Sequence, residues 1–227
     1  ILAEDPDYAD AAEIRRELVA TATPTLGPQT QASLTSGGNP LNKLVKEAEE
    51  AVVAGMWTEA IDMLQRVRES DNDYEQAQVT SLLCDALVGR GLETLSAIEN
   101  SAQEKTMATS ALADFEAGTA ECPRRLDLQE QAERAAAYLT ALEESKTDYE
   151  SLIPILTPIV AASPDYAGGR AKKALYRAYL GRAATRESVP ETIAAALGDY
   201  EAALALNVSD PSEAQLRRAE LLLSFTQ

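Results

Sequence analysis

The sequence predicts an all-α fold built from helix-turn-helix repeats, and three observations carry that reading. Apolar residues recur at helical spacing from Leu41 onward, and no run of strict alternation rich in Val, Ile and Thr is found. Ala and Leu supply much of an apolar share of 45%, with one Trp, eight Tyr and two Phe. That is the composition of packed helices, whose small side chains let the axes approach closely. Gly, Pro and Asp-Asn clusters break the pattern at intervals, as helix ends require. Together these imply about eight to eleven helices with irregular inserts.

Residues 1–19 read as the end of a truncated repeat, with a turn at Asp5-Pro6. Residues 20–40 lose all charge and are dominated by Thr, Ser, Gly and Pro, the mark of a linker or long loop. Residues 41–227 form the helical domain. Leu44, Ala48, Ala51 and Val52 line its first stripe, and Gly55 precedes Trp57, which should pack between the two helices of its own pair. Asp71-Asn72-Asp73 marks the next turn. It lacks the glycine and terminal glutamate of a calcium loop, since Gln76 and Leu82 stand there. A helix from about Tyr74 to Arg90 buries Leu83, Cys84 and Leu87 and should close at Gly91. Residues 92–106 read as an insert with some helical character. Further helices follow: one ending at Cys122-Pro123, Leu126 to Ser145, and Tyr149 to Ala162, in which Pro158 should produce a kink. The next pair occupies Asp165 to Val208 with a polar insert at 184–192. A last helix runs from Ser212 to Ser224 behind Asp210-Pro211.

The second helices share one spacing. Ala60, Leu64, Val67 and Asn72 are separated by four, three and five residues. The same holds for Ala111, Phe115, Gly118 and Pro123, for Leu152, Leu156, Ile159 and Pro164, and for Ala196, Tyr200, Ala203 and Val208. This resembles the second helix of the tetratricopeptide repeat. The first helix is similar too, at Leu83-Cys84-x2-Leu87 and at Leu175-Tyr176-x2-Tyr179, and Leu41 to Tyr74 spans the family's 34-residue period. The signature Trp is missing from the first helices, and Tyr176 stands where the family has a small residue. The resemblance implies a superhelix whose first helices line a concave groove that binds a protein or peptide partner.

Net charge is −17. Residues 1–123 carry 22 acidic and 8 basic side chains, whereas residues 124–227 carry 15 and 12. Such a surface repels nucleic acid and anionic lipid. The one dense basic patch lies on the first helix of the 165–208 pair. There Arg170, Lys173 and Arg177 fall at i, i+3 and i+7, on one face, and Lys172, Arg182 and Arg186 extend the charge. By the resemblance, the first three face the groove. They are the candidate peptide-binding residues, for an acidic or C-terminal carboxylate ligand. The competing reading is a solvated face that balances the acidic remainder through internal pairs.

Catalysis finds little support. There is no histidine, no Gly-rich phosphate loop and no nucleophile motif, so the sequence implies a non-enzymatic module without cofactor or metal. No apolar run is long enough to span a bilayer. The chain reads as a segment of a longer protein, with a lean toward an extracytoplasmic setting. The alternative function is a structural or sensory ectodomain, or an oligomerisation spacer, of a membrane-anchored protein. Two cysteines are present, Cys84 and Cys122. Antiparallel helices would set Cys122 beside Tyr74, on the order of 14 Å from Cys84. A bridge tolerates ~7 Å, so the expectation is two separate thiols, with Cys84 acting as core packing.

Overall fold

The computed structural model describes residues 39–144 and 146–224. The expected repeat end at 1–19, and all of the 20–40 linker before Asn39, lie outside the described residues. The described residues hold nine α-helices and no strand. They are α1 Pro40–Ala54, α2 Trp57–Ser70, α3 Gln76–Ser96, α4 Ser101–Glu121, α5 Leu126–Glu143, α6 Tyr149–Ala162, α7 Arg170–Glu187, α8 Ile193–Ala205 and α9 Ser212–Ser224. A 3-10 turn at Pro190–Thr192 precedes α8.

From α2 onward each helix packs on the next in sequence, the arrangement of an all-α helical repeat. Three core clusters follow one another along the chain. The first joins α1, α2 and the start of α3 through Val45, Ala48, Leu64, Val67 and Leu83. The second runs from Cys84 and Leu95 of α3 through Phe115, Leu128, Tyr138 and Leu156 to Leu175 of α7. The third joins Tyr176 and Ala183 of α7 to Tyr200 and Ala214. Helices α3 and α7 belong to two clusters each, so both bury two faces and tie the clusters into one continuous core.

Helix ends follow the sequence signals. Gly55, at φ +74°, closes α1 with Met56 N donating to Ala51 O, a Schellman arrangement. Asp71 forms a turn in which its Oδ1 accepts from Asp73 N. Asn100 caps α4 by accepting from Ala102 and Gln103 N, and Asp148 caps α6 by accepting from Ser151 N. Pro154 and Pro158 both lie inside α6, which is helical across them. Both face solvent, so the carbonyls they leave without a helical donor can reach water.

Three expectations are corrected and a fourth is extended. Gly91 does not end α3, which continues to Ser96. It is instead a contact glycine: a Cβ there would sit 2.5 Å from Phe115 Cε1, so its bare backbone makes room for the buried ring. The stretch at 92–106 is therefore the end of α3, a short turn and the start of α4. Trp57 packs on the core of its own pair as expected, but it also reaches beyond that pair to Gly89 of α3, where a Cβ would lie 2.5 Å from its indole.

The third correction concerns the cysteines. Cys84 and Cys122 form a disulfide, with Cα atoms 6.5 Å apart. Two separate thiols would require the end of α4 to abut the start of α3. The ion pair of Arg90 with Asp114 and the contact of Gly91 with Phe115 set a different register. Helix α4 is slid along α3 by about two and a half turns, roughly 14 Å. That brings Cys122 level with Cys84 and leaves the first turns of α4 projecting past the end of α3.

Candidate functional site

The projecting start of α4 forms one wall of a cavity of about 350 Å³. Helix α4 contributes Ser101 and Glu104, and the end of α5 contributes Tyr138, Ala141 and Leu142. The α5–α6 turn adds Glu144 and Lys146, and α6 adds Leu152 and Leu156. Helix α7 supplies Arg170, Lys173, Ala174, Arg177 and Ala178. Thus all three basic residues singled out in the sequence line this cavity. On α7 they alternate with two alanines, and the small side chains leave space between the cations.

Arg170 is placed by its surroundings. The turn before α7 holds Ala167, Gly168 and Gly169 at φ +53°, +60° and +77°. A Cβ on Gly168 would be 3.2 Å from Ile98 O, so glycine lets this turn press against the α3–α4 turn. The first residue of α7 then meets the first turn of α4. Arg170 Nη2 lies 2.7 Å from Glu104 Oε2, and the Tyr138 hydroxyl donates to Glu104 Oε1. Tyr138 is held in turn by Tyr166, with ring centroids 5.4 Å apart and planes at 80°, an edge-to-face contact.

Glu104 is 8% exposed. Burial by itself raises its pKa, but the bonds from Arg170 and Tyr138 more than offset this. The carboxyl is held below its ordinary value and is charged at neutral pH. Burial, and then Glu104, lift the Tyr138 hydroxyl above the usual phenol range, so it remains a donor. Arg170 is therefore spent largely inside the protein. Its Nε is buried with no partner among the described residues.

Lys173 and Arg177 differ. Both are exposed, and among the described residues neither has an ion-pair partner. Lys146, in the α5–α6 turn, is exposed as well, and its charge acts on Glu104. The cavity holds four cations against two carboxylates, a surplus of two positive charges in an acidic chain.

The outlying basic residues turn out to be structural. Arg182 and Arg186 both grip Asp199 of α8, at 2.7 and 2.9 Å, and both reach Glu150 of α6. Lys172 lies 3.8 Å from Asp165. The two competing sequence readings thus divide the patch between them: one part balances internal acids, and the other lines the cavity.

The sequence reading missed Glu104, Tyr138, Lys146 and the apolar floor of Leu152 and Leu156. A signal for Glu104 was present. It sits at i relative to Ala108, Ala111 and Phe115 at i+4, i+7 and i+11, on the buried stripe of α4. A carboxylate at a core position needs a partner. Among the described residues no group of three or more His, Cys, Asp or Glu is placed to hold a metal ion. No described helix is long and apolar enough to cross a membrane. Compared with family models, curated proteins and solved structures, the chain matches none of them.

Proposed function

We propose that this chain is a non-enzymatic interaction module of the tetratricopeptide-like class, and that it holds an acidic peptide segment of a partner protein in the α4–α7 cavity. One observation carries the reading. Lys173 and Arg177 line a largely apolar cavity with no ion-pair partner among the described residues, and Lys146, whose charge acts on Glu104, lines the same cavity. Unneutralised cations beside a concave apolar surface favour an anionic ligand. The class assignment draws support from helix pairs packed in sequence order and from the shared spacing of the second helices. Affinity capture of partners, quantified for wild type and for a Lys173→Glu, Arg177→Glu double variant, tests the site. The variant should lose the partners that the wild type enriches. Equal recovery by both proteins would sink the assignment.

The disulfide favours a second reading, in which the module serves as an extracytoplasmic part of a larger protein. A bridge between buried Cys84 and half-buried Cys122 persists in an oxidising compartment and is rare where thiols are kept reduced. Maleimide labelling of the denatured, unreduced protein recovered from its native source, followed by peptide mapping, should leave Cys84 and Cys122 unlabelled. Label on both would count against this setting.

A further inference from the structure

We infer that the cavity selects an internal acidic segment by a bulky apolar side chain seated between two flanking carboxylates, without reading a chain terminus. This rests on the acidic-peptide reading above and specifies the ligand. The charge distribution excludes simpler ligands. Arg170 is neutralised by Glu104, on which Lys146 of the α5–α6 turn also acts, and this leaves Lys173 and Arg177 one helical turn apart on α7 without an ion-pair partner among the described residues. Glu144 is the other acid at the cavity. The surplus of two positive charges calls for two anionic groups, and their separation along α7 calls for two positions on the ligand. A single α-carboxylate, or a fatty acid, would leave one charge unmatched.

The floor gives the second requirement. Leu152, Leu156 and Ala178 are buried. They back the half-buried Ala141, Leu142 and Ala174, which give the cavity an accessible apolar lining beside the cations. A polyanion such as a phosphate chain gains nothing from that surface, whereas an aliphatic side chain gains about tenfold or more in affinity from burial. The volume of about 350 Å³ admits one large side chain with its adjoining backbone. The alanines on α7 keep the cavity open.

The test uses the full chain and fluorescence anisotropy with labelled nonapeptides that are acetylated and amidated. One carries Leu flanked by Asp on both sides, a second has Ala for Leu, and a third has Asn for both Asp. Laurate serves as a competitor. The expected result is binding of the first peptide and at least tenfold weaker binding of the other two. Ala174→Leu, which fills the cavity without altering charge, should weaken the first peptide tenfold and leave the second unchanged. Equal affinity for the Leu and Ala peptides on the wild-type protein overturns this inference and leaves the acidic-peptide reading standing, whether or not Ala174→Leu folds. So does binding of the first peptide only when it is also made with a free C-terminal acid. Binding of no peptide, with or without displaceable laurate, overturns both. Binding that Lys173→Glu, Arg177→Glu leaves intact also overturns both.

Discussion

Gly91 and Gly198 carry the same side chain and should respond oppositely to the same change. At Gly91 a methyl group would meet Phe115 at 2.5 and 2.8 Å, and Phe115 is fully buried. Gly91→Ala should therefore destabilise by about 1–3 kcal/mol through overpacking. At Gly198, in the exposed face of α8, a Cβ meets nothing within 4 Å. There the same change should stabilise by up to ~1 kcal/mol through helix propensity. Urea unfolding of both variants checks the pair, and a loss at both positions would refute the contrast. Glu104 makes a pH-dependent prediction. Its pKa is lowered on folding, so its contribution is fully present above its ordinary value of 4.5 and is lost as pH falls below that toward the folded value. Melting temperature should drop as pH is lowered through that window. Glu104→Gln should be less stable at neutral pH and should show a shallower drop. A variant with an unchanged acid profile would mean that the pair with Arg170 contributes no pH dependence.

Helix pairs are locked by two devices that the hydrophobic pattern does not reveal. In the α3–α4 pair, Arg90 grips buried Asp114 with two bonds, at 3.0 and 2.6 Å. In the α7–α8 pair, Arg182 grips buried Asp199 in the same way, at 3.1 and 2.7 Å. The positions correspond: each Arg lies seven residues after the first-helix Leu, at Leu83 and Leu175, and each Asp directly precedes the aromatic knob, Phe115 or Tyr200. The recurrence is independent support for an internal repeat. It was legible as sequence, since Asp-Phe and Asp-Tyr both stood in view, but only packing shows that the acid points at the neighbouring helix. Asp114→Ala should cost about 2 kcal/mol, because it strips the partner from a half-buried guanidinium. Asp199→Ala should cost less, since Arg182 and Arg186 keep Glu150. Equal costs in urea titrations would contradict that ordering. The disulfide is the second lock. It encloses a sequence separation of 38 residues, which by loop entropy is worth about 4 kcal/mol. Reduction, or Cys84→Ala with Cys122→Ala, should lower the melting temperature with little change in far-ultraviolet dichroism. No shift on reduction would show that the bridge does not stabilise the fold.

Across the whole molecule, stability should decline toward the end of the helical series. Each cluster borrows a face from its neighbour, and α9 has a neighbour on one side only among the described residues. Leu216 and Leu222 on α9 remain exposed. Deleting residues from Ser212 onward should abolish amide protection in α8 while leaving α3 to α5 protected, because coupling runs through nearest neighbours. Loss of protection throughout would argue for one indivisible unit. The sequence by itself determined that the chain is helical, where most helices start and stop, and which α7 cations share a face. Those features depend on residue spacing, capping chemistry and propensity, which act within a few residues. Only the tertiary structure decided the slide of α4 along α3, and with it the disulfide, the projecting wall of the cavity and the capture of Arg170 by Glu104. Helix register is set by how side chains of two distant segments interdigitate, as Phe115 does over Gly91. No local pattern encodes that distance.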